Sequence, residues 1–161
     1  MRIAMRAPKQ MIVILLLFLI PSAPGQQGQR FVLLPAHEAK AVSDRYSRER
    51  SERINGSWQP TKADLDGLEK SLPQISKLEI FGWDSRVHID RPEQYFRQYV
   101  AVLVSGKRKI FVNAFCGING QPFTDWRDRL VIVSDGDICF WQALYDPATQ
   151  QFSNLRINAR A

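Results

Sequence analysis

The sequence predicts an α+β fold, with one or two N-terminal helices packed on a four- to five-stranded antiparallel sheet. Three observations carry that expectation. Helical spacing and a capped helix start occupy the first half of the chain. Apolar or alternating runs of strand length recur between residues 99 and 158. Glycine turns at Ser105-Gly106 and Asp135-Gly136 separate such runs at hairpin spacing. Helices grouped ahead of a meander argue for a helix laid across one sheet face rather than for alternating βαβ units.

The chain divides into three segments. Residues 1–25 have the layout of a secretory signal peptide. Arg2, Arg6 and Lys9 precede an apolar run at residues 11–20, which Pro-Ser-Ala-Pro-Gly follows. That run is shorter than the roughly 20 residues a membrane-crossing helix needs. Ala23 and Gly25 are the small residues of the cut, placing cleavage before Gln26. Residues 26–60 read as an N-terminal extension that can hold a helix and a linker, and residues 61–161 as the helix-on-sheet domain. The expected setting is bacterial and exported, periplasmic or secreted.

Charge and cysteine usage follow from that division. The leader holds three cations and no acid, so half of the formal +6 leaves with it, and the remaining 136 residues carry +3. That is too little to imply nucleic acid, which demands a concentrated basic face. No cysteine stands at the cleavage site to accept a lipid, and no later run has transmembrane length. The sequence therefore implies no stable membrane anchor after cleavage. Cys116 and Cys139 both remain, and an even count in an oxidising compartment favours a disulfide.

Along the mature chain, residues 31–34 form a short apolar run that Pro35 ends, as an edge strand would. Ala36, Ala39, Val42 and Tyr46 fit one face of a helix over residues 36–54. Its second half alternates acids with Arg45, Arg48, Arg50 and Arg53, the pattern of a solvated face or linker. A phosphate-binding or anionic-surface patch is the competing reading, weakened by Glu49 and Glu52. Asn55-Gly56-Ser57 is a turn, or a glycosylation acceptor in a eukaryotic secretory route. Thr61 then caps a second helix, with Asp64 three residues on as the acidic half of a capping box. Leu65, Leu68 and Leu72 form its apolar stripe, Gly67 weakens it, and Pro73 ends or bends it.

Residues 78–83 read as a short strand, with a loop to Arg91. Residues 99–104 are apolar at nearly every position, as in a central strand covered on both faces. Ser105-Gly106 turns the chain and residues 110–115 return. Residues 116–129 form a long polar connection, residues 130–133 a further strand, and Asp135-Gly136 a type I′ turn into the strand at 138–145. A turn at Asp146-Pro147-Ala148-Thr149 leads to a last strand, 152–158, wet on one side. This is a cystatin-like order of elements, a likeness of architecture that carries no function.

Few residues offer chemistry. The cysteine bridge would contribute on the order of 3 kcal/mol. With strands in sequential order, however, the two thiols would stand two strands apart, roughly 10 Å. A disulfide needs Cα atoms within about 7 Å. Either the connection after Phe115 folds back over the sheet, or the strands are not in sequential order, or the thiols are separate and buried. His37 and His88 are isolated, and no metal-ligand spacing occurs, so the sequence implies no metal and no cofactor. Asp125, Asp128, Asp135 and Asp137 are explained by turn chemistry. Trp141 reads as core, whereas Trp83 and Trp126 are the loop positions expected to be exposed for binding.

Several strings resemble a group of small exported bacterial proteins of uncharacterised function. They are Gly56-Ser57-Trp58-Gln59-Pro60-Thr61, Tyr95-Phe96-Arg97-Gln98-Tyr99-Val100, Ile110-Phe111-Val112-Asn113-Ala114-Phe115-Cys116, residues 135–141, and Phe152-Ser153-Asn154-Leu155-Arg156. The resemblance implies a periplasmic setting and carries over no catalytic residue. The expectation is a non-enzymatic binding or interaction module, with an envelope protein as partner. The alternative is a small hydrolase or inhibitor-like domain whose site assembles from distant residues.

Overall fold

The computed structural model describes residues 29–46, 53–80 and 87–158. The expected leader, most of the arginine-rich run and Trp83 lie outside the described residues. The chain is α+β, built on a central hairpin. Strands β3 (Phe96–Val104) and β4 (Lys107–Phe115) pair antiparallel without interruption, from Phe96 opposite Phe115 to Val104 opposite Lys107. Ser105 and Gly106 close it with φ of 49° and 77°, the two left-handed residues that a tight type I′ turn requires. Strand β5 (Phe140–Asp146) pairs antiparallel with β4, and β6 (Gln151–Ile157) with β5. Asn154 adopts φ 60° where β6 bulges between Leu144 and Gln142 of β5.

The other side of β3 carries two short strands end to end, and here the expected sheet is corrected. Strand β1 (Phe31–Leu33) pairs parallel with Arg97, Gln98 and Tyr99. Strand β2 (Ile54–Ser57) pairs antiparallel with Val104 and Val102. The sheet is thus mixed and six-stranded rather than antiparallel with four or five strands. Ile54 begins a strand instead of ending a helix. With one apolar residue in four, Ile-Asn-Gly-Ser carries no strand pattern; the free edge of β3 recruits its backbone. Helix α1 spans Glu38–Tyr46 among the described residues.

Two further expectations fail for related reasons. Residues 130–133 are not a strand, because both sides of β4 are already filled by β3 and β5. Asp135-Gly136 is not a hairpin turn: the left-handed residues are Gly136 and Asp137, which lead into a 3-10 turn, Asp137–Cys139. Residues 78–80 also lack strand structure.

The helices take opposite faces of the sheet, so the cystatin-like order, with a helix across one face, is not what forms. Helix α2 (Lys62–Ser71) starts as expected. Thr61 accepts from the Asp64 N–H and Asp64 accepts from the Thr61 N–H, completing the capping box. Pro73 stops the α-helix, and the chain continues as a 3-10 helix, Leu72–Lys77. Leu68, Leu72 and Ile75 bury against Tyr99, Val112, Trp141 and Ala143. On the other face Ala39 and Val42 of α1 pack with Val100, Val102, Phe111 and Leu144.

Gly67 sits where α2 crosses β5. A Cβ there would stand 3.0 Å from the Tyr145 hydroxyl, which is buried and hydrogen-bonded by Ser71. In an open helix Gly→Ala gains about 1 kcal/mol. Here the contact outweighs that gain, because the Tyr145 ring is locked and cannot retreat. Gly67→Ala is expected to lower the urea midpoint, and Gly67→Ala/Tyr145→Phe to recover most of the loss.

Candidate functional site

The segment between β4 and β5, residues 116–139, is the most distinctive feature of the surface. It leaves the sheet at Cys116, crosses the face that α1 also covers, and returns at Cys139. Because β4 and β5 are direct neighbours, Phe115 faces Phe140 and the cysteines extend that pair by one step. The Cys116 N–H donates to the Cys139 carbonyl at 3.0 Å. The Cα atoms are 5.0 Å apart and the side chains are joined as a disulfide. Removing the expected strand at 130–133 from the sheet is what closes the distance.

What holds this strap down is a row of amide side chains. Gln98, Asn113 and Gln142 lie side by side across β3, β4 and β5, and Asn158 completes the row beside Gln142. Asn113 Nδ2 donates to Gln98 Oε1 at 3.0 Å and to the Val131 carbonyl at 2.8 Å. Gln98 Oε1 also accepts from the Val131 N–H at 2.8 Å, while its Nε2 donates to the carbonyls of Trp126 and Arg129. Gln142 Nε2 donates to Asn158 Oδ1 at 3.1 Å, and Asn158 Nδ2 to the Val133 carbonyl at 2.9 Å. Helix α1 grips the same stretch from outside. Glu38 accepts from the Leu130 N–H, and Arg45 donates to the Val133 carbonyl. The strand-like residues thus satisfy backbone groups with side chains rather than with a neighbouring strand.

Trp126 does not take the expected exposed position. It is 5 % exposed and packs edge-on against Phe96 and Phe115, so it anchors the strap instead of presenting it. Its position in a polar loop suggested exposure, but the aromatic end of the hairpin draws it inward. Trp141 is buried as expected. The outward-facing residues of the strap are isoleucines that the sequence reading passed over. Ile118, Ile132 and Ile138 are 61 %, 50 % and 41 % exposed, and they are the exposed large hydrophobics among the described residues. Ile118 opens a two-residue turn in which Asn119 and Gly120 have φ of 50° and 74°. Gly117 precedes it, where a Cβ would meet the Gln121 carbonyl oxygen at 2.3 Å. The Asn119-Gly120 pair in the sequence was the available signal.

A second polar cluster, also missed, joins α2 to the opposite face. Arg97 is 3 % exposed, yet its guanidinium is satisfied. Nε donates to the Tyr99 hydroxyl at 3.0 Å, Nη1 to the carbonyls of Glu93 and Tyr95 at 2.7 Å, and Nη2 to Glu69 Oε2 at 3.0 Å. The Tyr99 hydroxyl donates to Glu69 Oε1. Burial raises the Tyr99 hydroxyl well above the ordinary 10.0; the Arg97 charge opposes that rise and Glu69 adds to it. The triad is consumed internally, with Glu69 facing two donors and Arg97 five acceptors, the Pro92 carbonyl included. Its role is to orient α2.

The remaining titratable residues form at most isolated pairs among the described residues, such as His37 with Glu38 and Lys40 with Asp44. His37 and His88 are exposed, as are Asp125, Asp128 and Asp135. Among the described residues no group of His, Cys, Asp and Glu side chains converges as metal ligands would. Asp146 pairs with Lys109 at 2.7 Å. Burial works against its ionisation, but Lys109 and the Ala148 and Thr149 N–H groups outweigh it and hold the carboxyl below 3.8. Comparison with protein-family models, with curated proteins and with solved structures returned no match.

Two outcomes follow from these networks. Gln98→Leu strands the Trp126 and Arg129 carbonyls and the Val131 N–H, each costing about 1–3 kcal/mol. The expected signature is faster hydrogen exchange at Val131 together with a lower melting temperature. Tyr99 remains protonated when folded but ionises near pH 10 when unfolded, so the unfolded state binds fewer protons above that pH. Stability is therefore expected to fall as pH rises past about 10. In urea titrations across that range Tyr99→Phe should show a shallower decline.

Proposed function

We propose that this chain is an exported, non-enzymatic binding module that recognises another envelope protein through the outer surface of the strap. The observation carrying this reading is that Ile118, Ile132 and Ile138 all lie within the loop closed by Cys116 and Cys139. Large apolar side chains exposed on a pinned segment lose little entropy when a partner covers them. Exposure of large hydrophobics to this degree has no counterpart elsewhere among the described residues.

The disulfide supports the exported setting, because such bonds persist in oxidising compartments. Among the described residues no helix is long and apolar enough to cross a membrane. Arg97, Glu69 and Tyr99, the most chemically capable cluster, are engaged with one another.

The test is affinity capture from envelope extract with the wild type and with Ile118→Asp/Ile132→Asp/Ile138→Asp, partners being identified by mass spectrometry. The exposed positions allow the variant to keep its circular dichroism spectrum and disulfide. Burying an isoleucine contributes about 1.5–3 kcal/mol, so the variant is expected to bind at least 100-fold more weakly. A partner captured equally by both proteins rules out the strap as the contact surface.

A further inference from the structure

The opposite end of the sheet carries a different surface. Three cations from two distant parts of the sequence meet at the tip of the β3–β4 hairpin. The Arg53 carbonyl accepts from the Ser105 N–H at 3.0 Å, which fixes Arg53 beside the turn. Lys107 is the first residue of β4, opposite Val104, and Arg108 follows it. The Arg108 guanidinium lies 5.3 Å over the ring of half-buried Trp58, whose indole N–H donates to the Lys109 carbonyl at 2.9 Å. Lys109 itself is neutralised by Asp146. Arg53, Lys107 and Arg108 are exposed and have no ion-pair partner among the described residues.

We infer that this tip is a contact surface for an anionic phospholipid membrane, reversible and separate from the strap. Lys107 and Arg108 are consecutive strand residues and therefore leave on opposite sides of the ribbon. They do not converge on one small anion; they fit an array of phosphates spread over a plane. Trp58 adds the amphipathic ring that favours a membrane–water boundary. The charge is also segregated along the molecule. The strap holds four aspartates against two arginines, and β4 sets its cysteine-closed end roughly 27 Å from the tip. A bilayer bound at the tip leaves the strap pointing away from the membrane. The arginine-rich run suggests an anion-binding patch from sequence alone; the fold assembles one from the end of that run and a hairpin 54 residues later.

The probe is sedimentation of the exported protein with phosphatidylcholine vesicles, and with vesicles that also contain phosphatidylglycerol, at low and high salt. Each Lys or Arg near an anionic surface contributes about fivefold to partitioning, so three give roughly 100-fold. The wild type is expected to sediment with the anionic vesicles only, and to be released by salt. Arg53→Gln/Lys107→Gln/Arg108→Gln should lose that binding, while Lys62→Gln/Lys70→Gln/Lys77→Gln, of equal charge change on and just after α2, should keep it. Equal loss in both triple variants, or wild-type binding without lipid preference, overturns the inference. So does release by millimolar inorganic pyrophosphate as complete as that by high salt, which would make the ligand a free phosphate. If the tip variant misfolds, Lys107→Gln alone decides, with about fivefold weaker partitioning expected and an unchanged value overturning the inference. Strap variants leave vesicle binding intact if the two surfaces are separate, so each reading can fail without the other.

Discussion

The amide row of Gln98, Asn113, Gln142 and Asn158 is the constraint on which one whole face of this molecule depends. These side chains occupy positions where a sheet ordinarily presents apolar residues to a covering layer, and three of the four are buried. A buried amide without partners is expensive, so the row makes sense only with the strap in place. Among the described residues the strap pairs with no named strand, and residues 126–133 rely on the amides for backbone hydrogen bonds. Each half removes the other's desolvation penalty. The arrangement is directional, unlike hydrophobic cover, and therefore specifies one register of the strap. The disulfide secures the ends where the amides do not reach, and the Trp126 ring adds an aromatic anchor beside its amide-bound carbonyl.

The two faces solve the same problem with different chemistry. Under α2, apolar packing is pinned at one point by Arg97, Glu69 and Tyr99. A buried ion pair gains little net stability, since desolvation offsets its attraction, but it penalises misplacement of the helix strongly. Under the strap, neutral amides bind main chain, which lets an irregular segment lie on a sheet without leaving its peptide groups unsatisfied. The strap can then expose isoleucines while its backbone stays held. Rigidity and apolar exposure in the same segment are the physical basis for treating it as a binding surface.

Much of the fold was legible where a local rule dominates. The Thr61–Asp64 capping box, the stop at Pro73, the Ser105-Gly106 turn and the doubly covered β3 all follow from propensity and spacing, and all are present. Errors arose where a segment's local preference competed with an occupied position. Residues 130–133 have strand composition, but the slot beside β4 belonged to β5. A strand at 130–133 in that slot would hold Cys116 and Cys139 apart, whereas β5 brings them together. β2 shows the reverse case, a strand without strand composition recruited by a free edge. The candidate site was least legible. The polar neighbours of Trp126 favour an exposed site, and Ile118, Ile132 and Ile138 sit in stretches that read as a polar connection and two strands rather than as surface.

By itself, the sequence determined which elements are autonomous: the capped helix, the central hairpin, and an even cysteine pair able to bond. Those depend on interactions within a few residues or on a type of side chain. Only the tertiary structure decided which strand lies beside which, that the helices take opposite faces, and that Arg53 meets Lys107 and Arg108. It also decided that four amides far apart in the chain form one row. Those outcomes depend on competition for sheet edges and on the cost of leaving buried polar groups unpaired, and neither is a property of any local stretch of sequence.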